Sequence, residues 1–309
     1  MSYLRVTLAS AVCFLALAAG CVGCSDRDEK AAGGSDGGYP RLARPMPYDP
    51  ELARQLLVAF GLTIGEEDEF DRYPSTVSVH PYPQMGPPHY RECSGVLLAP
   101  KLALTAAHCV CTPSRGETTR FDGSGCATEA EIATHRYHRI SATASEAWRR
   151  AETGKVVIHP RFQVVLDKEG GVVSSRADLA VIRLEEPTQD IPPVHLAAEE
   201  AKAGEVLSVV GFGCHLDEYG NFQGGLDDTR LFNREQVQTP IDGERFFFGS
   251  LEMADYNGDT GGPCLRETER GLELVGISQR GLGLTPTFTS TAPYREWLEE
   301  QIRLAGETP

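Results

Sequence analysis

The sequence predicts an all-β protein, either a barrel or a sandwich, that ends in one helix. Short apolar and β-branched runs alternate with clusters of Gly, Pro, Asp and Asn from Thr76 onward. Runs of this length between turn-forming residues are typical of strands, and several of them in succession favour a barrel or a sandwich. The predicted strands include residues 76–80, 96–99, 155–158, 179–184, 206–213 and 272–277.

The predicted helix follows Pro293 near the C-terminus. Tyr294, Trp297, Leu298 and Ile302 recur at the spacing that places side chains on one face of a helix. These four residues therefore define its apolar face.

Length and composition are those of an ordinary globular protein. The 309 residues are 41% hydrophobic and 24% charged, which is enough to bury one or two cores. The formal net charge of -15 argues against a nucleic acid partner, because phosphates need a basic surface. We expect no cofactor and no metal.

The first segment predicts export. Arg5 precedes the apolar stretch 6–19, which is short for a membrane span and ends in small residues before Cys21. Residues 1–20 look like a bacterial lipoprotein signal, with cleavage before Cys21 and lipidation of its thiol. An ordinary secretory signal cut near Ala19 is the alternative. The expected location is the cell envelope, with the lipid as the only membrane contact, or the exterior.

Two segments separate this signal from the predicted domain. Residues 21–50 are rich in Gly, Asp, Ala and Pro and predict a flexible tether. Residues 51–61 carry leucines at helical spacing and predict a short helix or a propiece. The main domain is expected at 62–309.

A glycine-rich stretch near the C-terminus, residues 257–263, frames the hydroxyl of Thr260. Glycines on both sides of a hydroxyl residue allow a tight backbone that aims two N–H groups at one point and exposes the hydroxyl. This is how an acyl-transfer nucleophile is presented. Such a nucleophile needs a base, and the base needs an acid to orient it.

Two upstream motifs supply these partners. His108 lies in the sequence Thr-Ala-Ala-His-Cys after an apolar run, and Asp178 opens the β-rich run 177–184. An isolated histidine is more often a buried structural residue, and an aspartate in such a place often caps a turn. The surrounding motifs favour the catalytic interpretation for both.

The three motifs, in the order His, Asp, hydroxyl residue, resemble the chymotrypsin/trypsin family of serine peptidases over roughly residues 62–305. The resemblance implies two six-stranded antiparallel barrels with the site in the cleft between them, closed by the C-terminal helix. It implies a protein or peptide substrate or ligand and a monomer. It also implies that His108 is the general base, that Asp178 fixes its tautomer, and that Gly258 and Thr260 supply oxyanion-hole N–H groups.

Activation and nucleophile both depart from the family pattern. Family members are usually cut after a basic residue so that the new amine pairs with the aspartate matching Asp259, but no Lys or Arg precedes the matching segment 62–65. Thr260 stands where the family has serine, and its extra methyl stiffens the side chain. Two hypotheses follow: a weak endopeptidase with a threonine nucleophile, or an inactive pseudopeptidase that binds a protein in the old cleft.

Specificity residues are also implied by the resemblance. The base of the specificity pocket falls at Ala254, which favours apolar side chains, or, after a one-residue slip, at Asp255, which favours Lys or Arg. The strand that pairs with substrate backbone is expected to contain Gln279, Arg280 and Gly281, where the family has Ser-Trp-Gly.

Six cysteines remain beyond the predicted signal region, and an even number in an exported domain indicates disulfides. The resemblance implies that Cys93 pairs with Cys109. Cys111 with Cys126 would close the polar loop between them, and Cys214 then pairs with Cys264 by elimination. A zinc site is the alternative, although the C-x-x-C spacing is absent among these cysteines.

Overall fold

The computed structural model describes residues 66–81, 93–115, 118–141, 144–168, 172–213, 215–216, 222–223, 229–240, 243–248, 260–282 and 285–307. The predicted signal, the lipidation site at Cys21, the tether and the segment 51–61 lie outside these residues. None of the helices in the described ranges has the length and apolar character that a membrane crossing requires.

The described residues form β-strands and a C-terminal α-helix. In chain order the strands are β1 Glu66–Glu67, β2 Thr76–Pro81, β3 Cys93–Ala99, β4 Leu102–Thr105, β5 Ser114–Arg115, β6 Thr119–Phe121, β7 Glu129–Ser141, β8 Ala144–Ile158, β9 Gln163–Leu166, β10 Val172–Arg176, β11 Ala180–Leu184, β12 His195–Leu196, β13 Val206–Gly211, β14 His215–Leu216, β15 Phe222–Gln223, β16 Leu231–Pro240, β17 Arg245–Phe248, β18 Pro263–Thr268, β19 Gly271–Leu282 and β20 Thr285–Ser290. The helix α1 is Arg295–Glu307, and short 3-10 helices span Ala107–Cys109 and Ala292–Tyr294.

The first barrel closes six antiparallel strands in the order β11-β4-β3-β2-β7-β8. Its strands are rich in Val, Leu, Ile and Ala whose side chains fill the interior, such as Val77, Leu104 and Ile182. Gly154 permits the close approach of β8 and β11, because a Cβ atom there would lie 2.6 Å from the Arg183 carbonyl oxygen. This barrel carries both the histidine and the aspartate motifs.

The second sheet follows the path β16-β13-β18-β19-β20-β17, and β16 also pairs with β17, so these six strands form a second ring. β1 is added to β16, and β12 runs parallel to β19. The stretch that contains Thr260 leads directly into β18. The expected all-β fold of two six-stranded antiparallel barrels with a C-terminal helix is therefore confirmed.

A small four-stranded sheet, β10-β9-β6-β5, accompanies the first barrel. Its last strand in the chain, β10, ends at Arg176, two residues before Asp178. The sheet also contributes the buried Phe121 from β6. It was not predicted, and it contributes residues beside the candidate site.

The helix α1 packs the apolar face that the sequence predicts. Tyr294 and Leu298 are buried in the core, and Trp297 and Ile302 are partly buried against it. The ring of His159 makes edge contacts with Tyr294 and Trp297, at centroid distances of 5.1 and 4.7 Å. His159 therefore has a packing role, and burial lowers its pKa to about 4.

A buried ion pair joins the segment before β2 to the start of β16. The Arg230 guanidinium is fully buried and donates to Asp68 and Asp71 and to the His135 carbonyl oxygen. It also stacks on Tyr137, with 4.9 Å from Cζ to the ring centroid. A buried cation is tolerated when it is both paired and hydrogen-bonded, as here.

The described residues contain two disulfides, Cys93–Cys109 and Cys111–Cys126. The third expected pair, Cys214–Cys264, is wrong because Cys264 is a free, fully buried thiol. Cys264 lies opposite Val209 in the β13–β18 pair. Cys264 instead packs as a small apolar residue inside the second barrel.

Candidate active site

His108 lies at the end of β4, in the 3-10 helix Ala107–Cys109. Small residues before it let the chain turn there, and the Cys93–Cys109 disulfide ties the turn to β3. His108 is 5% exposed. The edge of Phe121 packs against its ring, with 6.0 Å between ring centroids. The imidazole is thus held on one side by the small sheet.

Asp178 holds His108 through both of its carboxylate oxygens. Oδ2 lies 2.6 Å from His108 Nδ1, and Oδ1 accepts the His108 backbone N–H at 2.9 Å. Asp178 is 1% exposed, so little water competes for these contacts. Because Nδ1 is engaged with the carboxylate, Nε2 is the nitrogen that remains for proton transfer.

The backbone before Asp178 is held in an uncommon conformation. Ala177 has a φ of 47°, in the left-handed region that L-residues seldom adopt. Its N–H donates to the Tyr294 hydroxyl at 2.9 Å, and its carbonyl accepts the Leu179 N–H at 2.7 Å. Burial raises the pKa of Tyr294, so this hydroxyl stays neutral. The 3-10 helix before α1 therefore fixes the path of the chain between the end of β10 and Asp178.

Thr260 is anchored to the first barrel through its main chain. Its carbonyl oxygen accepts the Ser94 N–H at 2.8 Å and lies 3.6 Å from the Cys109 sulfur. The following Gly261 has a φ of +86°, and a Cβ atom there would lie 2.3 Å from both the Ser94 carbonyl oxygen and Thr105 Oγ1. Only glycine fits this contact. It brings Thr260 to the end of β4, beside the turn that carries His108.

The side chain of Thr260 is less constrained than its backbone. Within the described part of the chain, its hydroxyl makes no hydrogen bond, to His108 or to any other residue. Its backbone N–H also donates to no described residue, whereas the next N–H, of Gly261, is taken by the Ser278 carbonyl at 2.8 Å. Neither the hydroxyl nor the N–H of Thr260 is thus taken by a residue that the structure describes.

The predicted specificity residues divide into two groups. Gln279, Arg280 and Gly281 lie in β19, and Gln279 is buried. The remaining predicted residues, Gly258, Asp259, Ala254, Asp255 and Cys214, lie outside the described residues.

Two side chains near the site were not predicted from the sequence. Ser175 of β10 donates its hydroxyl hydrogen to Gln279 Oε1 at 2.7 Å, and Phe121 contacts His108. Ser175 has a weak sequence signal, since it lies three residues before Asp178. Phe121 has none, because it reaches the site only through the pairing of β6 with β9.

A metal has no candidate ligand set here: no group of three or more His, Cys, Asp or Glu in the described ranges is placed to hold an ion.

His135 is buried, and burial lowers its pKa to about 3. Its ring forms a hydrogen bond with the Ser78 hydroxyl and packs on Phe212, with 4.5 Å between the ring centroids. These contacts give His135 a structural role.

Two β-barrels that bring a histidine–aspartate pair from one barrel to a hydroxyl residue from the other define a two-barrel protein with a candidate acyl-transfer site. A sequence model described as Trypsin matches residues 75–298. The chain belongs to the trypsin family, whose relatives named below include serine proteases.

Several known proteins are similar over most of the chain. A Lectizyme of Glossina austeni is 26% identical over 265 residues, or 77% of this chain and 85% of the relative. The CLIP domain-containing serine protease B9 of Anopheles gambiae is 26% identical, over 80% of this chain and 65% of the relative. Trypsin II-P29 of Gallus gallus is 23% identical, over 69% of this chain and 80% of the relative. The chain thus spans just under two thirds of the Anopheles relative.

Proposed function

We propose that this protein is a serine-type endopeptidase in which Thr260 is the nucleophile, His108 the general base and Asp178 the residue that orients the base. The observation that carries the proposal is the two-point contact between the Asp178 carboxylate and His108. A buried carboxylate that holds both the backbone and the ring of one histidine fixes the ring's position and its tautomer. This arrangement serves proton transfer, and the family supports it.

The proposed reaction is acyl transfer on a peptide bond. The Thr260 hydroxyl attacks the carbonyl carbon while His108 Nε2 takes its proton. The same nitrogen then gives that proton to the leaving amine. The free N–H of Thr260, with that of Gly258, would stabilise the negative charge on the carbonyl oxygen. Water then hydrolyses the acyl ester by the same proton transfers in reverse.

We expect the rate to be low because the threonine methyl must be accommodated beside the histidine. The Thr260 hydroxyl has no hydrogen bond to His108. A displacement of about 1 Å from the reactive geometry costs on the order of a hundredfold in rate. Binding of the substrate would therefore have to complete the alignment.

The missing hydrogen bond between the Thr260 hydroxyl and His108 also favours a second candidate, a pseudopeptidase that captures a protein in the cleft without cutting it. In that case the His108–Asp178 pair is a structural remnant. The missing basic residue before the segment 62–65 agrees with this candidate, since the usual activating cut would not occur there.

Three forms of the chain separate the candidates: the wild type, Thr260→Ala and Thr260→Ser, each offered a random peptide library with cleavage followed by mass spectrometry. A threonine peptidase cuts as the wild type and stops cutting as Thr260→Ala. If only Thr260→Ser cuts, the rest of the site is competent and the methyl is the obstacle. Silence from all three, together with peptide binding by Thr260→Ala, supports the pseudopeptidase.

We also propose that the protein is exported and held at the envelope by a lipid on Cys21. The disulfides agree with an oxidising location outside the cytoplasm. Fractionation of cells that express the wild type and Cys21→Ser tests this. The wild type should stay with the membranes and take up labelled fatty acid, and Cys21→Ser should do neither.

A further inference from the structure

We propose that Gln279 is a specificity-determining residue that selects a peptide bearing a hydrogen-bond-accepting side chain: Asn, Gln, Asp or Glu. The inference rests on the proposed function for its link to cleavage, but it is a statement about peptide binding. It is carried by a buried amide whose nitrogen has no partner among the described residues.

Gln279 lies between the two halves of the candidate site. One residue before it, the Ser278 carbonyl accepts the N–H of Gly261, which follows Thr260. At the other end of its side chain, Oε1 accepts a hydrogen bond from Ser175, three residues before Asp178. The side chain thus reaches from β19, which bonds to the stretch that contains Thr260, to β10, the strand that leads towards the aspartate.

In the structure the amide of Gln279 turns its oxygen to Ser175, whose hydroxyl donates to Oε1 at 2.7 Å. Because Oε1 is the acceptor for Ser175, the Nε2 group lies on the opposite side of the amide with two hydrogens to donate. The residue is 2% exposed, and within the described ranges Nε2 has no hydrogen-bond partner. Buried polar groups in proteins are almost always paired, so an unpaired one that is held in place calls for an acceptor.

The acceptor that fits is a carbonyl or carboxylate oxygen. Nε2 offers only donors, so an amide or carboxylate side chain of the peptide would satisfy it, whereas an apolar side chain would leave it unpaired. Leaving a buried donor unpaired is penalised more than a formed hydrogen bond is rewarded. We therefore expect peptides with such a side chain at one position to bind about tenfold more tightly than those with leucine there.

The test measures binding, so that it does not depend on turnover. Thr260→Ala serves as the background, and a library of random decapeptides is the probe. Peptides retained by the immobilised protein are sequenced, and the Kd values of an Asn/Leu and an Asp/Leu pair are measured by fluorescence anisotropy. We expect one position to be enriched in Asn, Gln, Asp and Glu, with a Kd ratio of about ten.

Three further variants separate a binding role from a structural one. Gln279→Leu should abolish the preference and leave the melting temperature unchanged or raised, because it removes a buried Nε2 group that has no partner among the described residues, while the half-buried Ser175 hydroxyl can bond to water instead. Gln279→Glu offers an acceptor in place of the donor, so it should disfavour the Asp and Glu peptides. Ser175→Ala frees the amide to turn, so peptides with donor side chains should gain affinity relative to Asn.

The outcomes distinguish this inference from the proposed function. A Gln279-dependent preference without cleavage by the wild type or Thr260→Ser upholds the inference and overturns the peptidase. Cleavage by the wild type with the same peptide preference in Gln279 and Gln279→Leu forms overturns the inference and upholds the peptidase. A fall in melting temperature in Gln279→Leu, with the preference retained, also overturns the inference, since the amide would then be structural.

Discussion

Replacement of Asp178 by asparagine tests the two-point contact on which the proposed mechanism depends. The carboxylate serves two donors of one residue, the backbone N–H of His108 at 2.9 Å and its ring nitrogen Nδ1 at 2.6 Å. Asparagine has one acceptor oxygen and one NH₂ donor, so neither of its two orientations can accept from both.

Whether Asp178→Asn loses activity or stability depends on which of the two contacts to His108 the asparagine oxygen keeps. If the oxygen stays with the backbone N–H, the NH₂ group faces the ring and Nδ1 must become an acceptor. The imidazole proton then lies on Nε2, which can no longer act as a base. We expect kcat/KM to fall by about four orders of magnitude, or about 5 kcal/mol of transition-state stabilisation. If the amide turns over, the buried backbone N–H of His108 loses its partner, which costs about 1–3 kcal/mol of unfolding free energy.

The assay is hydrolysis of the best library peptide by the wild type and Asp178→Asn, with urea unfolding of both. If only Thr260→Ser is active, the same comparison is made between Thr260→Ser and the double variant Thr260→Ser/Asp178→Asn. Asp122→Asn is the matched control, since Asp122 is exposed and bonds to the neighbouring Ser124. A rate for Asp178→Asn within tenfold of its parent, in a folded protein, would refute the reasoning.

Three further predictions concern stability. Gly261→Ala should lower the free energy of unfolding by at least about 2 kcal/mol in urea titrations, because its Cβ would overlap the first barrel at positive φ; an unchanged midpoint would contradict the contact. Arg230→Met should cost about 3–5 kcal/mol by leaving the buried Asp68 carboxylate without its counter-charge, with only the N–H groups of Arg72 and Tyr73 as partners. Adding Asp68→Asn, which removes the charge and keeps an acceptor oxygen, should recover part of that loss; no recovery would count against the buried pair. The pKa of His135 is lowered to about 3 in the folded state, so the unfolded state binds the proton first as the pH falls below 6.5. The free energy of unfolding should therefore fall by about 2 kcal/mol from this group between pH 7 and pH 5, and His135→Gln should reduce that fall. Equal pH dependence in both proteins would contradict the assignment.

The strands with a buried face were predictable, and the exposed ones were not. The runs 179–184 and 206–213 contain apolar residues that fill the barrels, and the structure places β11 and β13 there. The hairpin of β7 and β8 is much longer than the predicted 155–158, because beyond the barrel its strands pair only with each other. There Trp148 is 64% exposed among charged residues, so no alternation of apolar side chains marks the strand.

The site was predictable where one local stretch carries the chemistry. The turn before His108 and the glycines after Thr260 have conformational requirements that local sequence reveals. Ser175 and Phe121 arrive from a separate sheet, so only the fold brings them to the site. The Cys214–Cys264 prediction failed because counting assumes that every cysteine pairs, whereas a strand register and a barrel interior decide whether two thiols can meet.

The way Thr260 is held has a consequence for how this position varies under selection. Its carbonyl oxygen and the neighbouring glycine make the contacts to the first barrel, while its hydroxyl has no partner among the described residues. Folding therefore depends on the main chain at this position and hardly on the side chain. Serine, threonine or alanine at residue 260 would leave the same scaffold, so mutation there changes chemistry without a penalty in abundance. Selection on a change of the nucleophile would accordingly act through the protein's function and not through its stability.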